Sequence, residues 1–146
     1  KLEELKSKNK NIISIKQDIS VHNQLEDFIN KCNDELGDKI DVLINNAGIG
    51  FTGPVEEILI KDVKKVFDTN FFGQIDLIQK VLPVMRKNNS GLIINITSIA
   101  GFHGVPFVST YCASRTWVAR RGRRSSRRTR RRRGCGARAP GRAHRR

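Results

Sequence analysis

The stretch Ile40-Asp41-Val42-Leu43-Ile44-Asn45-Asn46-Ala47-Gly48 decides the fold. A short apolar run rich in β-branched side chains reads as a strand. The Asn, Ala and Gly residues that follow end it in a turn. Similar units lie on both sides. Upstream, Ile12-Ile13-Ser14-Ile15 reads as a strand that ends at Asp18. Between the two strands, Val21, Leu25, Phe28, Ile29, Cys32 and Leu36 recur with a helical period, with Ser20 at the N-cap and Gly37 just past the end. Residues 1–7 read as the tail of a further helix.

Downstream, Gly50, Gly53 and Pro54 mark a loop. A long helix is expected from Lys61, with Val63, Val66, Phe67, Asn70, Phe71, Leu77, Ile78, Val81, Leu82 and Met85 on its inner side, and Ser90-Gly91 breaks it. Leu92-Ile93-Ile94-Asn95-Ile96 is nearly all apolar, the pattern of a parallel strand covered on both faces. A loop through Gly101, Gly104 and Pro106 leads to a helix starting near Ser109. Strands alternating with helices imply an α/β fold, a doubly wound parallel sheet with three strands in residues 1–114.

The net charge of +14 would suggest a nucleic-acid binder, but it is concentrated at one end. Residues 1–114 carry 12 Lys, 1 Arg and all 14 acidic residues, so they are close to neutral. Residues 115–146 carry 15 Arg and no Lys, acid, Ile, Leu, Asn or Phe. The cysteines Cys32, Cys112 and Cys135 match no zinc or disulfide spacing, so no metal site is expected. Cys32 falls on the apolar helix stripe and reads as packing. No apolar run approaches the ~20 residues a spanning helix needs. The chain begins at Lys1 without Met, and its true N-terminus is expected to lie upstream.

In open parallel sheets, ligands bind beyond the carboxyl ends of the strands. Here those ends carry Asp18, the Asn45–Gly48 turn and Ser98. Any one of them alone is an ordinary turn; three together mark a site. Asn70 sits on an apolar helix stripe, where an unpaired amide is costly, so an internal partner or a water is expected.

Asn45-Asn46-Ala47-Gly48, Asn70, Ser98 and Tyr111-Cys112-Ala113-Ser114-Arg115, in this order and spacing, resemble the classical short-chain dehydrogenase/reductase family. The resemblance covers most of residues 1–114 and implies a partial Rossmann-like sheet that binds NADP or NAD. It implies that Asp18 and Ile19 meet the adenine end of the cofactor. Asn45, Ala47 and Gly48 would hold the sheet and let the backbone lie against the nucleotide. Asn70, Ser98 and Tyr111 match three members of the family's catalytic tetrad, with Ser98 and Tyr111 13 residues apart. The serine would orient the substrate and the tyrosine move the proton. Tyrosine needs a cation nearby to act as a base near neutral pH. The family places lysine four residues on; this chain has Arg115, which keeps the charge and spacing but not the shape.

Gly53-Pro54-Val55-Glu56-Glu57 and Tyr111-Cys112-Ala113-Ser114 are similar to members that act on lipophilic alcohols and carbonyls such as steroids and retinoids, with His103 and Phe107 on the substrate side. The resemblance further implies a homo-oligomeric, cytoplasmic enzyme. The family's glycine-rich pyrophosphate loop should precede Lys1, so residues 1–146 are expected to be a central fragment, inactive by itself. Residues 115–146 admit three readings: an arm binding polyanions through phosphates, a disordered tail, or an out-of-frame or chimeric continuation. The abrupt change of composition favours the last.

Overall fold

The computed structural model describes residue 9 and residues 11–116. The arginine-rich segment past Thr116, Cys135 and residues 1–8 lie outside the described residues. The elements are α1 (Leu25–Leu36), β1 (Val42–Asn45), α2 (Ile60–Phe67), α3 (Gly73–Lys87) and β2 (Leu92–Asn95). A helix α4 follows, described over residues 109–116.

β1 and β2 pair in parallel, Val42 against Leu92 through Asn45 against Asn95. Such strands need a long crossover, here the α2–α3 arm. The core forms where α1 and α3 pack on one face of the sheet. Leu25, Ile29, Ile40, Leu77, Val81 and Met85 are buried together, with Leu43 and Ile93 packed against them from the strands. The opposite strand face, Val42, Ile44 and Leu92, is about half exposed. The coverage of both faces expected for the third strand is therefore not met among the described residues, because α1 and α3 lie on the same side.

Two further expectations are corrected. Residues 12–17 adopt no strand. A strand exists only as part of a ladder, and the sheet of the described residues is the β1–β2 pair alone. The helix expected from Ser20 begins instead at Leu25, after a 3-10 turn at His22–Gln24. Ser20 does not cap it, because its hydroxyl and N–H are both given to Asp18. The other end of α1 is as expected. Gly37 takes the left-handed conformation (φ 68°), and its N–H and that of Asp38 return to the Asn33 carbonyl. No helix among the described residues is long and apolar enough to cross a membrane.

The long helix expected from Lys61 is interrupted. Between α2 and α3, Asp68–Phe72 form a π-turn in which the Gly73 N–H bonds to the Asp68 carbonyl. The wider turn brings the chain close to a neighbouring backbone. At Gly73 a Cβ would run into the Ile19 carbonyl oxygen, so glycine is what lets the two segments meet.

Candidate active site

The parallel register brings the carboxyl ends of β1 and β2 together. Asn45, buried at the end of β1, donates Nδ2 to Oδ1 of its partner Asn95 at 2.8 Å. The Ile96 N–H closes the ladder on the Asn45 carbonyl at 2.8 Å. Asn46, Ala47 and Gly48 leave the sheet there and are exposed.

The π-turn holds this loop from behind. Asn70 is wholly buried and makes three bonds. Its Oδ1 accepts the Ile49 N–H at 2.8 Å, and its Nδ2 donates to the Ile49 carbonyl at 2.8 Å and to Ser114 Oγ at 2.9 Å. The internal partner expected for Asn70 is present. Gln74, four residues on, is also buried and donates Nε2 to the Ala47 carbonyl at 2.8 Å. Two side chains on one helical arm thus grip the backbone on either side of Gly48. π-turns recur at functional sites, and this one carries Asn70 within it.

Tyr111 and Arg115 come from α4. The Tyr111 ring lies against Gly50, where a Cβ would stand 3.0 Å from ring Cδ2. The Arg115 guanidinium carbon is 5.3 Å from the centre of that ring, within cation–π range. Arg115 is only 4% exposed. Its Nη1 donates to the Ile96 carbonyl at 3.2 Å, and Nη2 occupies the place a Cβ at Gly48 would take. Its Nε is buried without a partner, and no carboxylate among the described residues pairs with it. A buried cation without a counter-ion is costly. The Ile96 carbonyl and the Tyr111 ring face offset part of that cost. The Arg115 carbonyl accepts the Thr97 hydroxyl at 3.0 Å, tying α4 to the end of β2.

Ser98 lies three residues beyond the end of β2 and is half-buried. Its Oγ accepts the Ala100 N–H at 3.2 Å and caps the 3-10 turn Ile99–Gly101. Asp18 accepts the Ser20 hydroxyl at 2.7 Å and the Ser20 N–H at 2.9 Å. These two bonds hold its carboxyl below the ordinary carboxylate range, so it is charged at neutral pH. Ile19, next to it, seats its carbonyl on Gly73. On the far side of the loop, the Gly53 N–H donates to the Phe107 carbonyl at 2.8 Å. Phe107 stands at φ 63°, a conformation that costs a bulky residue strain. Ile99, Phe102, Val105 and Phe107, all between β2 and α4, expose their apolar side chains.

The structure therefore joins Asn45, Ala47, Gly48, Asn70, Tyr111 and Arg115 in one network. Ser98 lies in the loop after β2, bonded to the Ala100 N–H, while Asp18 bonds Ser20 ahead of α1 and the Ile19 carbonyl lies against Gly73 at the start of α3. Sequence reasoning overlooked Gln74 and Ser114. The available signal was spacing: Gln74 lies one turn after Asn70 and Ser114 three residues after Tyr111, each a polar residue on an inward face. No group of acidic, His or Cys residues among those described is arranged to hold a metal ion.

A family model described as short chain dehydrogenase matches residues 1–124. Retinol dehydrogenase 8 of Bos taurus is 44% identical over 79 residues, which is 54% of this chain and 25% of that protein. The 3-ketodihydrosphingosine reductase of Bacteroides thetaiotaomicron is 41% identical over 104 residues, 71% of this chain and 37% of that protein. Among solved structures, ElxO with NADP bound superposes with a TM-score of 0.70 at 33% identity, over 75% of this chain and 44% of that one. A short-chain dehydrogenase/reductase from Burkholderia phymatum in complex with NAD gives 0.79 at 25% identity, over 87% and 45%. The chain spans less than half the length of each of these proteins.

Proposed function

The chain belongs to the short-chain dehydrogenase family, and from that premise we propose that it carries the acid–base half of a site that interconverts an alcohol and a ketone or aldehyde with NAD or NADP. The observation that carries this reading is the network in which Asn70 and Gln74 fix the Ala47–Ile49 backbone while α4 sets Tyr111 and Arg115 beside it.

The residues present suit a nicotinamide dinucleotide. The exposed backbone of Asn46, Ala47 and Gly48 offers a flat edge at the strand ends. The charged Asp18 carboxylate suits an adenine amine, with the Ile19 backbone beside it. Asn45 holds the sheet beneath this edge. The Arg115 guanidinium, buried against Gly48 with its Nε unpartnered, occupies the place where this edge meets α4. When bound, the dinucleotide gives or takes the hydride.

The chain's own residues then manage the proton and the carbonyl. The Ser98 hydroxyl, whose oxygen already accepts one bond, has a hydrogen to give to the substrate oxygen. In oxidation the Tyr111 side chain takes the substrate proton as its phenolate, and in reduction it gives that proton up as the phenol. Arg115 places a permanent positive charge over the face of the Tyr111 ring. Asn70 keeps the loop and α4 at a fixed distance. The exposed apolar side chains of Ile99, Phe102, Val105 and Phe107 favour a lipophilic substrate. The names of the relatives, retinol and ketodihydrosphingosine enzymes, point the same way.

The Arg115 guanidinium fills the space against Gly48 that a compact ammonium would leave open. Residues 1–146 are therefore expected to oxidise NADPH or NADH slowly or not at all with a panel of lipophilic ketones and aldehydes. Arg115→Lys is expected to raise turnover at least about tenfold, a barrier change of ~1.4 kcal/mol. Adding Tyr111→Phe is expected to abolish the gain. Turnover in Arg115→Lys no greater than in the double variant would overturn the reading.

A further inference from the structure

Ser114 lies one position before the arginine, at 0% exposure. Its single hydroxyl does two things at once. It accepts Asn70 Nδ2 at 2.9 Å and donates to the Tyr111 carbonyl at 2.8 Å. Followed from end to end, this is an unbroken path: the Ile49 backbone, the Asn70 carboxamide, the Ser114 hydroxyl and the Tyr111 backbone. Ile49 adjoins Gly48 in the loop, and Tyr111 stands in the first turn of α4. No other hydrogen bond among the described residues runs from Asn70 to α4.

We propose that Ser114 is a positioning residue: it couples the loop gripped by Asn70 to the first turn of α4 and so sets where the Tyr111 ring stands between Gly50 and Arg115. The proposal rests on the role given to Tyr111 above, although the coupling is a geometric claim that can be measured without turnover.

The hydrogen-bond inventory separates positioning from plain stabilisation. Without the Ser114 hydroxyl, Asn70 still holds the Ile49 N–H and carbonyl, so the loop keeps its anchor. What disappears is the link to α4. The expected consequence is a Tyr111 ring free to take a second place, not a dismantled loop. A side chain that merely fills a buried hole would lower the melting temperature and leave the ring of the folded protein where it was.

The chain has one tyrosine, so incorporation of 3-fluorotyrosine gives a fluorine NMR spectrum that reports Tyr111 alone. The experiment compares residues 1–146 with Ser114→Ala, and with Ser114→Cys, in the folded state and with no nucleotide or substrate. The cysteine keeps nearly the same volume with a weaker donor, and it decides the matter if the alanine variant does not fold. The expected result is a displaced or doubled resonance in the variant. A resonance at the parent position with unchanged width, whatever happens to the melting temperature, overturns the proposal. Because no redox chemistry enters the measurement, its failure leaves the proposed oxidoreductase reading standing. A failure of that reading leaves the tether standing.

Discussion

At the residue scale, Asn70 is the buried polar side chain on which the loop most depends. Its carboxamide is wholly buried and saturated by three bonds, two of them to the Ile49 backbone. Asn70→Leu keeps the branching at Cγ but leaves the Ile49 N–H and carbonyl unpaired. We expect a loss of about 2–6 kcal/mol, from ~1–3 kcal/mol for each of the two abandoned buried groups, read as a fall in the urea midpoint. Gly73→Ala should cost ~1–3 kcal/mol by overpacking, because the Ile19 carbonyl stands where the new methyl would go. Gly104→Ala, where the space is open, is the matched control. Equal melting temperatures for the two alanine variants would refute the close approach. Asn70 was legible in the sequence as a polar residue on an apolar stripe that must find a partner. Its partners were not, since the Ile49 backbone and Ser114 lie 21 and 44 residues away. Arg115 shows the same limit. Its spacing from Tyr111 was readable, but a guanidinium turned against Gly48 depends on a tertiary approach that no local pattern encodes.

At the element scale, the π-turn between α2 and α3 is the device that matters. A continuous helix from Lys61 to the break at Ser90-Gly91 was the natural reading of the apolar period, which passes through Asp68–Phe72 without interruption. The widened turn has no side-chain signature of its own. It is favoured here by what surrounds it: Gly73 against Ile19, and Asn70 against Ile49. The end of α1 was legible because Gly37 must supply a left-handed residue there. The start of α1 was not, because Ser20 had a competing partner in Asp18. The Ile12–Ile15 segment shows why β-propensity is weak evidence: those residues suit a strand, but a strand needs a neighbour. In α1, Leu25 is wholly buried in the core cluster. Leu25→Ala should cost about 2–5 kcal/mol. Leu36→Ala on the same stripe is 52% exposed in the parent and should cost far less. Similar losses from the two would contradict the packing of α1 on α3 described above.

At the scale of the whole molecule, two charged groups of the described fold respond to pH in opposite directions. Asp18 has its carboxyl lowered by the Ser20 hydroxyl and N–H. It therefore contributes stability that is fully present above about pH 4 and lost as the pH falls through its depressed folded value. Lys80 bonds Glu26 at 2.6 Å across α1 and α3 and has Asp76 nearby, and these partners raise its ammonium above the usual value. Its contribution is present below about pH 10 and lost as the pH rises through the raised folded value. Thermal melts should fall off first on the acid side, and Ser20→Ala should weaken that acid dependence. The Lys80 bridge lies on the surface, so its share should fade with added salt.

The central claim concerns the whole carboxyl edge of the sheet, and it is tested most directly by titrating isotope-labelled residues 1–146 with NADP and NAD up to millimolar concentration. The account predicts progressive amide shifts confined to Asp18, Ile19, Asn46, Ala47, Gly48 and Ile49, together with a movement of the single tyrosine signal, all of them weakened by Gly48→Val. Shifts absent from this set at the end of the titration, or lying only on the outer faces of α1 and α3, would contradict it.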